Sequence, residues 1–289
     1  MTNVRRISSI TAAAAAVVVM TAGAASAAPT VEQVHPSDLG DAWHTGDTRP
    51  DGTLSWSTAY GGAIGTGAAV LTTPTSGAKV QLFTDAHDDT RLGDITELGY
   101  ATYQAEAPDG SVALPALNIR LDRDDDGDVD AYLVYEPYQD DAFYGNAAIR
   151  PGEWQTWDAW HGGQSQWWSG QIAECPQSTP CTIDALLELY PDAVIQEDPV
   201  SLRAGATPAD ADFNGSLGFN QGSGNAGIVG AADALHIATR TGVDVTYDFQ
   251  PDVRLTGKDD CKKGGWATST DPVFRNQGAC VSHFASSKS

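Results

Sequence analysis

An acidic loop between two strand-like segments contains the residues of this chain that are best suited to chemistry. Its residues include Asp122, Asp124, Asp125, Asp126, Gly127, Asp128 and Asp130. Carboxylates packed this densely repel one another, and a bound cation would relieve that repulsion. The spacing Asp-x-Asp-x-Asp-Gly-Asp-x-Asp matches the ligand positions of a calcium loop, with the glycine at the sharp turn.

The loop therefore predicts a structural calcium ion. The expected ligands are Asp122, Asp124, Asp126, Asp128 and Asp130. The loop is not an EF-hand, because Leu133 stands where the bidentate glutamate belongs and the flanking segments are strand-like. Without that glutamate we expect weak binding, with a dissociation constant on the order of 10⁻⁴ to 10⁻³ M. A solvated hairpin turn without metal is the alternative interpretation.

A cluster of tryptophans is the second feature of the sequence that could bind a ligand. Five of them lie close together: Trp154, Trp157, Trp160, Trp167 and Trp168. Trp154 and Trp157 sit in a strand-like pattern that predicts the core. Trp167 and Trp168 are adjacent, so on a strand they face opposite ways and at most one is exposed. The favoured interpretation is that both fill the core; if a sugar binds, Trp167 or Trp168 is the expected residue to stack on its ring.

Motifs for other chemistries are missing or stand in the wrong context. The chain has no G-x-S-x-G and no H-E-x-x-H, and its six histidines are isolated from one another in sequence. Paired carboxylates for glycoside hydrolysis could come from 38 acidic residues, but nothing singles out a pair. The G-x-G-x-x-G pattern at residues 222–227 lacks an alternating strand–helix context, so it predicts a glycine-rich loop between strands.

The four cysteines form two pairs that are close in sequence. They are Cys175 with Cys181, and Cys261 with Cys280. Three pairings are formally possible. We expect the local one because each pair brackets a single loop, and such bridges contribute roughly 2 and 3 kcal/mol. Zinc binding is the alternative, but it is disfavoured because no pair has C-x-x-C spacing.

The chain begins with the pattern of an export signal. Arg5 and Arg6 precede an apolar run that ends in Ala25-Ser26-Ala27, which predicts cleavage after Ala27. Cleavage would leave 262 of 289 residues and change the formal net charge from −22 to −24. No other apolar run approaches the ~20 residues of a membrane span. The predicted location is extracellular, and a chain this acidic is expected to avoid nucleic acid and anionic membranes.

The sequence pattern predicts that the elements that position these residues are mainly short strands. Residues 28–51 predict a linker, residues 52–250 a β-sandwich, and residues 251–289 a small disulfide-closed tail. One short helix is expected after Thr182, a good N-cap, with Pro191 ending it. In the central hairpin, alternation in the first arm, residues 117–121, predicts a half-buried strand. The apolar second arm, residues 132–135, predicts a central one.

Several sequence segments together resemble those of a family of secreted bacterial proteins with a jelly-roll domain similar to carbohydrate-binding modules. They are VQLFTDAHDDTRLGDITELGYATY, LNIRLD with DAYLVYEPY, EWQTWDAWHGGQSQWW, YPDAVI and GFNQGSGNAGIVGAADALHIA, within residues 52–250. The tail resembles a C-terminal motif of exported actinobacterial proteins, CKxGGW…FxNQGxCVS. Its matching residues are Cys261, Gly264, Gly265, Trp266, Phe274, Asn276, Gln277, Gly278, Cys280 and Val281. The resemblance implies a jelly-roll fold, export and both disulfides, and it implies no activity.

Three functions are compatible with this sequence. The first is a non-catalytic binding or surface domain, with a neutral glycan as the expected partner and calcium as a structural ion. The second is a hydrolase that acts on polysaccharide through two carboxylates. The third is a purely structural protein of the cell envelope. The charge of the chain favours an uncharged or cationic ligand in each case.

Overall fold

The computed structural model describes residues 29–127, 129–196, 215–222 and 224–286. The predicted signal peptide, residues 1–27, and the predicted calcium ligand Asp128 lie outside these ranges.

The described part of the chain contains sixteen strands and two α-helices, joined by loops and short 3-10 helices. The strands are β1 (Thr30–Val34), β2 (Trp43–His44), β3 (Thr53–Ser57), β4 (Ala68–Thr73), β5 (Lys79–Thr84), β6 (Thr90–Arg91), β7 (Ile95–Glu106), β8 (Ala116–Asp122), β9 (Ala131–Tyr135), β10 (Trp154–Asp158), β11 (Gln166–Trp167), β12 (Cys181–Thr182), β13 (Val194–Ile195), β14 (Leu217–Gly222), β15 (Ile228–Thr239) and β16 (Asp244–Phe249). The helices are α1 (Ile183–Leu189) and α2 (Gln277–Ser286).

Two seven-stranded sheets form the body of the protein, which confirms the predicted all-β sandwich of jelly-roll type. In the first sheet β15 is central, since it pairs with β7 on one side and with β4 and β16 on the other, while β10 lies beyond β7. In the second sheet β8 is central, with β9 on one side and β14 and β13 on the other. The chain crosses repeatedly between the sheets, and a small β11–β12 ribbon stands beside them.

One large apolar cluster fills the space between the sheets. Leu117, Ile119 and Leu121 from β8 contribute alternate residues to it, as the period-2 pattern predicts. Leu235 and Ile237 of β15 contribute from the opposite sheet. This alternation leaves the intervening residues for the outer faces, where the candidate sites lie.

The central hairpin has the predicted strand–loop–strand form, but its first arm, and not its second, is the central strand. All seven residues of β8 are buried, including the polar Asn118 and Arg120, because this strand has neighbours on both sides. β9 pairs with β8, and on its other side a single bridge joins Val134 to Trp168. The prediction that the second arm is the central strand is therefore wrong.

The N-terminal stretch predicted to be a linker belongs to the sandwich. β1 pairs in parallel with β16, and β2 pairs with β5. Trp43 is 2% exposed and packs edge-on against Tyr247 and Phe249, with ring centroids 5.1 and 5.0 Å away. Burial of a tryptophan in the main core gives this stretch a structural role that its polar composition conceals.

The predicted helix and both predicted disulfides are confirmed. The Thr182 hydroxyl accepts a hydrogen bond from the Ala185 backbone N–H and caps α1. Cys175 is bonded to Cys181, and Cys261 to Cys280. In the tail, which also contains α2, the second bridge packs with Phe274 in a buried cluster separate from the main core. Within the described ranges no helix is long and apolar enough to cross a membrane.

Candidate functional site

The acidic loop is organised around one buried carboxylate at the end of β8. Asp122 is 1% exposed, and one of its oxygens accepts the backbone N–H groups of Asp124 and Asp125, at 3.1 and 2.8 Å. Its other oxygen accepts the N–H of Gly127 at 2.7 Å. These bonds curl the loop around the Asp122 side chain. Gly127 adopts φ 98°, a conformation that glycine takes without strain.

Two arginines offset part of the negative charge of the loop. Arg123 forms an ion pair with Asp130 at 3.3 Å, and Arg91 bonds Asp125 at 3.1 Å. Burial acts to raise the pKa of Asp130, but the hydrogen bonds from Arg123 outweigh it and the pKa is lowered. The pKa of Asp124 is raised, chiefly by the charge of neighbouring Asp126. The arginines therefore offset only part of the negative potential that surrounds Asp124.

Three of the predicted calcium ligands come together in this loop. Asp122, Asp124 and Asp130 each present an oxygen, and these oxygens lie within 4.8 Å of one another. Asp126 lies outside this trio, although its charge is the main influence on the pKa of Asp124. Carboxylate oxygens suit a hard cation such as calcium, which takes roughly six to eight oxygen ligands. The trio fits one side of such a shell, which main-chain or water oxygens would have to complete.

A second feature is a cleft of about 340 Å³ on the outer face of the β8 sheet. The Trp168 indole lies in its wall and donates its ring N–H to the Glu136 carboxylate at 2.9 Å. The Tyr138 hydroxyl donates to the same oxygen at 3.2 Å. The bridge between Val134 and Trp168 fixes this arrangement, because Glu136 lies two residues after Val134, directly beyond the end of β9 and in extended conformation.

Two loops complete the walls of the Trp168 cleft. Gln177, inside the Cys175–Cys181 loop, approaches Glu136 and Tyr138 at 3.4 Å each. The glycine-rich segment that begins at the end of β14 forms another wall, which contains Gly222, Gly224 and Asn225, with Asn220 beside them. This segment runs from one strand to the next, as predicted for the G-x-G-x-x-G pattern.

Aromatic, amide and carboxyl groups thus converge on one small volume. The pKa of Glu136 is raised, because burial favours its neutral form more strongly than the hydrogen bonds from Trp168, Tyr138 and Gln177 favour the charged one. Glu136 is the one acidic side chain among the described residues that line the cleft. A polar ligand without net charge would meet hydrogen-bonding groups at the walls and an indole beside them.

The structure separates the two tryptophans that were predicted as alternatives for ligand binding. Trp167 is fully buried, and its ring N–H donates to the Ala159 carbonyl at 2.9 Å, so it cannot stack on a ligand. Trp168 is half-buried and lines the cleft. Trp157 is 2% exposed and lies in the core as predicted. Trp154 is instead half-buried beside Tyr103 on the outer face of the other sheet, where it packs against a small second cluster of buried residues and not in the main core.

Sequence reasoning missed three side chains of the cleft, namely Glu136, Tyr138 and Gln177. Glu136 is separated from Trp168 by 32 residues, and only the β-bridge next to it brings the two together. A lone carboxylate directly after a buried strand was a visible signal for Glu136. Nothing local pointed to Gln177 beyond its place between two cysteines.

Comparison with known protein families, curated proteins and solved structures finds no match to this chain.

Proposed function

We propose that this chain is an extracellular glycan-binding domain that holds a neutral sugar in the Trp168 cleft. The observation that carries the proposal is the indole of Trp168, which a carboxylate holds in the wall of a cavity lined by several amides and the Tyr138 hydroxyl. Flat aromatic surfaces suit the apolar faces of pyranose rings, and amides and carboxyls suit sugar hydroxyls. The cleft volume falls within the range of small-ligand pockets, roughly 300–1,000 Å³.

The charge of the molecule supports a neutral ligand. The formal net charge of −22 opposes the approach of polyanions such as nucleic acids or acidic polysaccharides. The two disulfides are compatible with an oxidising, extracellular environment, where such ligands are encountered.

Binding fits this cleft better than hydrolysis does. Glycoside hydrolysis usually needs two carboxyl groups, one on each side of the scissile bond. Among the described lining residues Glu136 alone supplies one, and its carboxylate is held by Trp168, Tyr138 and Gln177. We therefore assign Glu136 the role of orienting the indole and accepting a sugar hydroxyl.

Calcium has a structural role in this proposal. The ion would be held by Asp122, Asp124 and Asp130, at the opposite end of β9 from Glu136. By neutralising the turn it would stabilise the hairpin whose second arm is bridged to Trp168.

A glycan array combined with an assay for released reducing sugar tests the proposal. We expect the protein to bind one or a few neutral oligosaccharides and to release no reducing ends from them. Release of reducing ends would identify a hydrolase instead. If the protein neither binds a glycan nor releases reducing ends, the proposal is overturned and a purely structural role is left.

A further inference from the structure

A second cavity, of about 430 Å³, lies on the outer face of the other sheet, away from the Trp168 cleft. Its floor is Gly99 on β7, which pairs with Asp158 on β10 and with His236 on β15. Residues paired across neighbouring strands point to the same face. Because adjacent strands are about 4.8 Å apart, the backbones of Asp158 and His236 stand roughly 10 Å apart, with no side chain between them. We call this cavity the Gly99 trough.

Each wall of the trough pairs a histidine with acids. On one side His161 Nδ1 lies 3.3 Å from an Asp158 oxygen, and the other oxygen of Asp158 accepts the backbone N–H groups of Trp160 and His161. On the other side His236 Nε2 lies 3.1 Å from Asp244.

These contacts determine what the imidazoles present to a ligand. In its neutral form a histidine that donates one N–H to a carboxylate has a lone pair on its other nitrogen. For His161 that nitrogen is Nε2, which is buried, so a ligand in the trough does not reach it. For His236 it is Nδ1, which lies 3.8 Å from Glu97, beyond hydrogen-bonding distance.

Two carboxylates of the lining, those of Glu97 and Asp158, therefore supply its accessible acceptors and its negative charge. Glu97 and Asp158 are more than half exposed, at 71% and 53%, so a ligand can reach both carboxylates. No lysine or arginine is among the described residues that line the trough. A ligand that satisfies these groups must bring N–H donors and positive charge.

A bare metal ion fits the trough poorly. Among the described residues only the Asp122, Asp124 and Asp130 trio brings three possible ligand atoms within 4.8 Å of one another. The trough instead has a multi-atom volume, with the apolar side chains of Trp160 and Ala234 in its lining. We propose that the Gly99 trough binds an aliphatic polyamine, with ammonium groups on Glu97 and Asp158 and the carbon chain along the apolar lining.

Calorimetric titration of the full chain with spermidine at low ionic strength tests this proposal. We expect binding that weakens with added salt, and no heat with the uncharged aliphatic diol 1,4-butanediol. Glu97→Gln and Asp158→Asn should each weaken spermidine binding roughly tenfold or more, because each removes a charge-assisted contact. Thr156→Arg, at an exposed lining position of β10, should abolish binding by placing a cation in the trough.

Two control variants separate a specific site from general attraction to an acidic protein. Glu106→Gln removes an exposed acid on the same strand outside the trough, and Trp168→Ala alters the other cleft. Both should retain wild-type affinity for spermidine. The proposal is overturned if spermidine does not bind at low salt. It is equally overturned if Glu106→Gln weakens binding as much as Glu97→Gln, or if Thr156→Arg folds normally and still binds.

Discussion

At the scale of single residues, one buried carboxylate ties three segments of the first sheet together. Asp233 is fully buried at a register shift in β15. One of its oxygens accepts the backbone N–H groups of Ala63 and Ile64, at 2.8 and 3.0 Å, and the other accepts that of Phe249 at 3.1 Å. Burial, more than any other influence, raises the pKa of Asp233 to about 6. The folded protein therefore retains a proton on this group at a pH where the unfolded chain has lost it.

This pKa difference predicts a pH dependence of stability. Between about pH 4 and pH 6 the folded state binds more protons than the unfolded state, so the contribution of Asp233 to the free energy of unfolding falls as the pH rises. The loss should approach about 3 kcal/mol on completion. Urea unfolding of wild type and Asp233→Asn at several pH values measures it. The variant should lack this part of the decline, and identical pH profiles for the two proteins would refute the assignment.

Residue types alone do not reveal which polar side chains fold inward. Arg120 is fully buried, with its guanidinium 5.2 Å from the Phe83 ring centroid and 5.6 Å from that of Tyr132. In the sequence it alternates with apolar neighbours, a pattern typical of a solvent-facing position. Its burial depends on strands far away in the chain, and local periodicity carries no information about them.

At the scale of elements, the β8–β9 hairpin supports the proposed calcium site. Calcium at ten times its dissociation constant should stabilise the fold by about 1.4 kcal/mol, because the ion binds only the folded loop. For a chain of this size that corresponds to a rise in Tm of roughly 3–6 °C. Thermal melts with calcium and with chelator measure the shift.

The double variant Asp124→Ala with Asp126→Ala should lose the calcium response. Asp109→Ala, at an exposed position in another turn, should keep it. A wild-type Tm that is indifferent to calcium, or a double variant that responds like wild type, would show that the loop is only a solvated turn.

Elements were predictable from sequence where local signals define them. The acidic hairpin follows from alternation around a Gly-containing turn, and α1 follows from its Thr182 cap. The linker prediction failed because the partner of β1 is β16, more than 200 residues along the chain. The pairing of Glu136 with Trp168 escaped prediction for the same reason, since it depends on a β-bridge between distant segments.

At the scale of the whole molecule, the sandwich and the tail have separate cores. The tail cluster contains Cys261, Phe274 and Cys280, and none of these belongs to the main core. The N-terminal strands, in contrast, are part of both sheets. The two ends of the chain should therefore differ in what they contribute to stability.

Truncation at each end tests this difference. A chain that ends at Asp252 should melt within roughly 2 °C of the longer protein, because the buried apolar cluster of the tail is separate from the main core. A chain that starts at Thr45 should be strongly destabilised, since removal of a buried tryptophan such as Trp43 alone costs about 3–5 kcal/mol. Thermal unfolding monitored by circular dichroism measures both effects. A similar decrease in Tm for the two truncated chains would contradict this division.

The central claim, that the Trp168 cleft binds a neutral glycan, is tested most directly by calorimetric titration of an array-selected oligosaccharide into three proteins. These are wild type, Trp168→Ala and Trp154→Ala; the last removes another half-buried tryptophan whose ring N–H is also hydrogen-bonded, to the Tyr60 carbonyl. Trp168→Ala should weaken binding at least tenfold, while Trp154→Ala should bind like wild type. Unchanged affinity in a folded Trp168→Ala protein would contradict the account.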